Sequence, residues 1–308
     1  MRAVVLTARF LFSANYLKVC YNKPYKTKTE DIMDYSQILS QQFNIKEEYA
    51  KNIITLLDDG NTIPFIARYR KEMHGSMDDQ LIREFAEKLE YLRGLDKRRD
   101  EIRSLIDAQE KLTDEINLAL DKAATLSELE DIYRPYRPKR KTRASIAKEK
   151  GLEPLANDIL KQEKGFDPSK SAVDYIDEEK GVTSVEDAIQ GAMDIIAELV
   201  SDNAEIRKRI RNLTNANGVL VSVATDEEKD SVYKNYYDYK EPVKKIAGHR
   251  VLAVNRGEKE GFLKVSVETD SEKPLNSIFR AMITDKNQLC SDIIREACTD
   301  AYQRLIYP

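Results

Sequence analysis

The amino-acid sequence predicts a mainly α-helical protein, a multi-helix array with a small antiparallel β insertion at about residues 218–268. Three observations lead there. Apolar residues recur at steps of three and four through most of the 308 residues, the spacing that lines one face of a helix. Chain-breaking residues are sparse, with 11 Gly and 9 Pro in all, too few for the frequent turns of an all-β fold. The β-branched runs gather after Gly218: Val219-Leu220-Val221-Ser222-Val223, Val251-Leu252-Ala253-Val254 and Leu263-Lys264-Val265-Ser266-Val267 all read as strands.

Taken in order, Tyr49, Ile53, Ile54, Leu56 and Leu57 form a helical stripe that stops at Gly60, a residue suited to the end of a helix. Asn61 to Pro64 makes a turn, and Pro64 fits the first turn of a short helix through Tyr69. From Asp78, the residues Leu81, Phe85, Leu89, Leu92, Leu95, Ile102, Leu105 and Ile106 trace one or two long helices, interrupted by a solvated face at Arg98, Arg99 and Asp100. Thr113 is placed to cap a helix over 114–124. Pro135 and Pro138 remove backbone donors and fix φ, so the next segment reads as extended. Two short helices follow, 144–150 and 154–161, broken at Gly151. Ser184 caps a strong helix carrying Ala188, Ile189, Met193, Ile196 and Leu199. Asp202 and Glu205 have the spacing of a capping box for the one after it. Asn255 to Gly261 reads as a hairpin loop between two of the strands, and two helices near 274–283 and 287–306 end the chain.

Charge limits what such a protein can bind. The net charge is −4, yet residues 1–29 hold six Lys/Arg and no acid, which leaves −10 on everything that follows. A general polyanion binder is basic over its surface, so nucleic-acid contact here has to be local. The basic leader holds an apolar stretch interrupted by Arg9, with no small-residue cleavage site after it. It reads as an N-terminal extension or disordered arm, with an organelle presequence as the alternative. No run of 18 apolar residues exists, so no membrane span is expected. Cys20, Cys290 and Cys298 are odd in number and lack metal-type spacing, as expected of reduced thiols in a cytoplasmic protein.

The strongest local signal lies between Arg134 and Lys150, where eight Lys/Arg accompany a single acid, Glu149. Within this strip Arg134, Arg137, Lys139, Arg140, Lys141 and Arg143 have the chemistry to contact phosphates, while Tyr133 and Tyr136 can stack on bases. Two further readings stay open. The arginines can pair with acids on neighbouring helices while both tyrosines pack inward, making the strip a structural clamp, or the strip can dock a protein.

Other groups carry less. Arg68, Tyr69, Arg70 and Lys71 abut an apolar turn and read as members of buried or interhelical ion pairs. Arg207, Lys208, Arg209 and Arg211 read as cations near a helix C-terminus, where the macrodipole favours them. Tyr233, Tyr236, Tyr237 and Tyr239 stand among Asp226, Glu227, Glu228, Asp230 and Asp238, which repel a phosphate backbone and favour packing or a protein interface. His74 and His249 are the only histidines. With no P-loop, dinucleotide fingerprint or nucleophile elbow, no catalytic residue, metal site or cofactor is expected.

Four phrases, in order, resemble the Tex family of bacterial transcription accessory proteins: Ile63-Pro64-Phe65-Ile66-Ala67-Arg68-Tyr69-Arg70-Lys71-Glu72, then Tyr133-Arg134-Pro135-Tyr136-Arg137-Pro138-Lys139-Arg140, then Ile146-Ala147 with Gly151-Leu152-Glu153-Pro154-Leu155-Ala156, and Tyr237-Asp238-Tyr239 leading into His249-Arg250-Val251-Leu252-Ala253. The resemblance starts near Met33. It implies an extension over 1–32, a helical N-terminal domain over 33–200 and a mixed central region over 201–308. It also implies a helix-turn-helix-like element, a link to transcription and RNA association. Tex-like proteins continue into a nuclease-like domain, a helix-hairpin-helix module and an S1 domain, so the chain is expected to be a truncated N-terminal portion. The expected role is a non-catalytic scaffold that binds RNA or DNA weakly through the strip, with the transcription machinery as a possible partner. A helical protein-interaction module is the alternative.

Overall fold

The computed structural model describes residues 35–138, 140–284 and 286–307. The expected N-terminal extension, Cys20 and the strip residue Lys139 lie outside the described residues. Fifteen α-helices and one three-stranded sheet are present among them, as the sequence predicts. The chain divides into two compact units, the first reaching Leu129 and the second starting at Glu130.

The first unit is built from α1 (Tyr35–Phe43), α2 (Glu47–Asp58), α3 (Ile63–Tyr69), α4 (Lys71–His74), α5 (Asp79–Asp107) and α6 (Asp114–Lys122). Leu39, Ile53, Ile66, Ile82 and Phe85 are wholly buried together, each contributing about 1.5–3 kcal/mol of apolar burial. Helix α2 ends as its glycine requires: Gly60 sits at φ +80°, and the Gly60 and Asn61 amides return to the Leu57 and Leu56 carbonyls at 3.0 and 3.1 Å, a Schellman closure. Asp78 and Thr113 accept the amides of Leu81 and Ile116 at the starts of α5 and α6.

Helix α5 runs unbroken for 29 residues, and Arg99 is not part of a solvated face. Its side chain is buried, donating Nε to the Leu120 carbonyl at 2.9 Å and Nη2 to that of Ala123 at 3.1 Å. The last carbonyls of a helix lack intrahelical partners, and the five-donor guanidinium fork of Arg99 supplies them.

The second unit opens with the end of α7 (Leu126–Tyr133) and a 3₁₀ turn, Arg134–Tyr136. Then come α8 (Arg143–Glu149), α9 (Glu153–Lys161), α10 (Pro168–Ala172), α11 (Val185–Asp202) and α12 (Ala204–Asn217). After β1 (Val219–Ala224) and β2 (Asp238–Pro242), the chain forms α13 (Gly248–Lys259), β3 (Leu263–Glu268), α14 (Glu272–Met282) and α15 (Gln288–Asp300), continued by a π-helical turn to Ile306. Helix α11 is central. Its Ala188, Ala192, Ile196 and Val200 face a core shared with Leu155, Ile159, Ile294 and Cys298.

The sheet has order β2-β1-β3, both pairings antiparallel, with Ser222 opposite Tyr239 on one side and Val265 on the other. The sequence expectation fails in one place: Val251-Leu252-Ala253-Val254 is helical, within α13, and forms no hairpin with β3. Val254 and Gly257, three residues apart, are the buried positions of α13. A Cβ on Gly257 would lie 2.5 Å from Leu263 Cδ1, so glycine lets the helix settle onto the start of β3. The strand opposite is instead the polar Asp238–Pro242, which alternates exposed and half-buried residues as an edge strand does. β propensity reports how a residue packs rather than an intrinsic backbone preference. The capping box expected at Asp202 is also displaced by one residue. Asn203 caps α12, accepting the Ile206 amide at 3.0 Å, while Asp202 closes α11 and is freed for another partner.

Candidate nucleic-acid interface

The strip begins inside helical structure. Tyr133 is the last residue of α7 and Arg134–Tyr136 forms a 3₁₀ turn, so an extended course starts only at Arg137, at ψ 138°. Proline explains this arrangement, since Pro135 occupies a first-turn position of the 3₁₀ element, where no backbone donor is needed. Thr142 then caps α8 reciprocally with Ser145: the Ser145 amide reaches Thr142 Oγ1 at 3.0 Å, and the Thr142 amide reaches Ser145 Oγ at 2.8 Å. The Thr142 hydroxyl donates to Glu198 Oε1 of α11 at 3.1 Å, which fixes the far end of the strip to the central helix.

Inside these two anchor points the charges divide into two sets. Asp131, buried near the end of α7, receives Arg207 Nε at 2.9 Å and also pairs with Arg211, both from α12. Arg207 additionally donates Nη1 to the Ser201 carbonyl at 3.2 Å. Arg134 donates Nε to Asp202 Oδ1 at 3.2 Å. Burial and the neighbouring Arg134 charge push the Arg207 guanidinium below its usual range, and Asp131 opposes that shift. Arg137 pairs with Glu130 and lies over the Tyr133 ring, 5.5 Å from its centroid. Tyr133 itself is only 7% exposed, so it packs against its own segment rather than presenting a face for stacking, and Tyr136 is half-buried.

The outer set differs. Arg140 and Arg143 are exposed, and Lys141 makes only a 3.6 Å contact with Glu149 in which both side chains stay mostly in water. Arg143 occupies the first turn of α8; burial raises the Asp194 pKa, and the Arg304 and Arg143 charges only partly offset it. The described residues among the eight singled out from sequence differ in exposure: Tyr133 is buried, Arg134 and Tyr136 are half-buried, and Arg137, Arg140, Lys141 and Arg143 are exposed. Tyr133, Arg134 and Arg137 are engaged within the unit, Arg140, Lys141 and Arg143 face water, and Lys139 lies outside the described residues. Of the acids that engage the strip, Asp202 stands 68 residues from Arg134, where nothing in the local sequence marks it, while Glu130 lies on α7 close to Arg137.

The remaining basic and aromatic groups fall as follows. Arg207 and Arg211 lie before the last turns of α12, which runs on to Asn217, so they answer a buried acid rather than a helix C-terminus. Arg68, Tyr69, Arg70 and Lys71 are all exposed, and none of the three cations has an acid within ion-pair distance among the described residues, contrary to the expected ion pairs. The tyrosines near β2 pack: Tyr233 is buried 5.8 Å from the Phe262 ring, and Tyr236 meets Tyr239 edge-on at 5.2 Å. No cluster of metal-ligating side chains occurs among the described residues, and no helix among them is long and apolar enough to cross a membrane.

Comparison with known proteins identifies two regions. Residues 33–107 match the Tex-like protein N-terminal domain, and residues 163–305 match the Tex central region-like family; the strip falls between the two matches. The chain is 43% identical over 283 residues to the uncharacterized protein YdcI of Bacillus subtilis, covering 90% of this chain and 39% of that protein. It is 39% identical over 238 residues to the transcriptional accessory protein Tex of Neisseria gonorrhoeae, covering 77% of this chain and 31% of that protein. Human S1 RNA-binding domain-containing protein 1 is 30% identical over 301 residues, which cover 92% of this chain and 30% of that protein. The chain thus spans well under half the length of the curated relatives it matches. With both regions present in the family's order, it belongs to the Tex family of transcriptional accessory proteins.

Proposed function

We propose that this chain is a non-catalytic scaffold of a Tex-like, nucleic-acid-binding transcription accessory protein, and that the outer part of its basic strip contacts phosphates. One observation carries the reading: acids of the second unit pair with Arg134 and Arg137, whereas Arg140, Lys141 and Arg143 project from the same segment into water. The inner arginines hold the segment in place, and the outer cations are left for a polyanion. The names of relatives point the same way, one to transcription and another to RNA binding. Three phosphate contacts on a single strand correspond to a slope of about −2 in log affinity against log salt.

Fluorescence-anisotropy titration of the chain with single-stranded RNA, single-stranded DNA and duplex DNA, at low and physiological salt, tests the proposal. Weak binding that falls with salt and is weakened, with a shallower salt dependence, in the double variant Arg140→Glu, Lys141→Glu at unchanged thermal stability supports it. Binding untouched by that variant refutes it.

A protein-docking role has its own supporting observation, Val232. This side chain is 87% exposed beside Asp226, Glu227, Glu228 and Asp230. A transcription-machinery partner retained after nuclease treatment, and lost on replacing 226–232 by a Gly/Ser linker, would favour this second reading.

A further inference from the structure

We infer a second single-strand-binding surface in the first unit, at the junction of α3 and α4, where Phe65, Arg68, Tyr69, Arg70 and Lys71 form an exposed cationic and aromatic patch. It is independent of the strip, which lies in the other unit.

The backbone creates this patch. In an uninterrupted helix, four consecutive residues sweep about 300° of the circumference, so one of them would face the core. Here α3 stops at Tyr69 and Arg70 leaves helical geometry, at φ −127° and ψ 33°, before α4 begins at Lys71. All four residues from Arg68 to Lys71 consequently remain exposed. The junction is held from beneath. The Ile66 carbonyl accepts both the Arg70 amide at 3.0 Å and buried His74 Nε2–H at 3.1 Å, and Asn52 Nδ2 of α2 donates to the Met73 carbonyl at 3.1 Å. Gly75, at φ +65°, ends α4 where a Cβ would lie 2.5 Å from the Tyr49 ring.

The chemistry of the patch is that of a stacked, phosphate-bearing strand. Tyr69 is 66% exposed and sits 5.4 Å from the Phe65 ring at 43°. The Arg70 guanidinium covers the other part of this pair, 5.6 Å from the Phe65 centroid. Leaving a large ring in water is unremarkable singly, but a ring flanked by three cations without acidic partners among the described residues offers a π-face and phosphate donors together. Between Gly60 and Met77 the only acid is Glu72, so a local positive field exists on a body that is otherwise negative. An acidic peptide would satisfy the cations and leave the rings unused. A single strand uses both, with a base on Tyr69 and phosphates on Arg68, Arg70 and Lys71.

The test is anisotropy of the whole chain with mixed-sequence 12-nucleotide RNA and DNA oligomers, and with polyglutamate as a competitor, at low salt. Tyr69→Ala is expected to weaken oligonucleotide binding about fivefold or more, the loss of one stacked base, while Tyr69→Phe restores it. Arg68→Glu with Lys71→Glu should weaken it further and flatten its salt dependence. Both effects should persist when Arg140→Glu, Lys141→Glu is also present, which separates this surface from the strip. Since Tyr69 is outside the core, thermal unfolding should not change. The inference is overturned if the chain binds no oligomer, if Tyr69→Ala binds like the parent, or if polyglutamate displaces the oligomer at equal charge concentration.

Discussion

Two runs of arginine, lysine and tyrosine, Arg68–Lys71 and Tyr133–Arg143, look alike as sequence and are used differently by the fold. In the first, the chain breaks a helix so that every side chain stays outside, and none of its cations is ion-paired among the described residues. In the second, Asp202 of α11 takes Arg134 and Glu130 of α7 takes Arg137, while Arg140, Lys141 and Arg143 stay exposed. Composition gives the charge available to a segment. Where that charge points depends on which carboxylates the tertiary structure delivers, because a buried guanidinium is tolerated only when its donors are met.

The sharpest way to break this contrast is at Asp131. Asp131→Asn leaves Arg207 and Arg211 without their shared counter-charge and should lower unfolding stability by about 3 kcal/mol, read by urea denaturation. A loss under about 1 kcal/mol would mean that Arg207 and Arg211 are solvated and that Asp131 does not anchor the helix leading into the second run.

A backbone change tests the outward-facing run. Gly75→Ala places an L-residue at φ +65° against the Tyr49 ring and should cost about 1–2 kcal/mol. It should also weaken oligonucleotide binding if the junction is what presents Arg68 to Lys71; full binding in a destabilised protein would separate the patch from its support.

The first unit has an inward-facing arginine of its own, and pH probes it. The Tyr35 hydroxyl donates to Asp96, which pairs with Arg99. Burial and Asp96 raise the Tyr35 pKa from 10.0 to about 12. The folded state therefore holds this proton more tightly than the unfolded chain. Its contribution is complete below pH 10 and is lost as pH rises through 10 toward 12. Tyr35→Phe should flatten that alkaline decline in urea midpoints, and an unchanged decline would assign it to other groups.

The smallest effects belong to the outer strip. Arg140→Glu should change stability by no more than about 0.5 kcal/mol. A double-mutant cycle on Lys141 and Glu149 should show coupling below about 0.5 kcal/mol, as for an exposed pair. Larger coupling would place Lys141 with the inner, structural charges.

Much of the architecture was legible in the sequence because it follows from local physics. Helical periodicity marked α2, α5, α11 and α15. Thr113 and Ser184 cap the helices that their side chains signalled, and Gly60 and Gly151 sit at positive φ at the breaks they announced. Family membership was legible for a related reason, since its phrases are local strings. The misses share the opposite property. Val251–Val254 became helix because Gly257 can approach Leu263, Arg99 turned inward because α6 needed its carbonyls met, and Asp202 gave up its cap to Asn203 and took Arg134 instead. The sequence by itself determined most of the helices and several of their caps, the existence of the small sheet and the presence of two cationic runs. The tertiary structure alone decided that Arg134, Arg207 and Arg211 are neutralised, because their acids stand 68 to 80 residues away, and no local pattern carries information over such a separation.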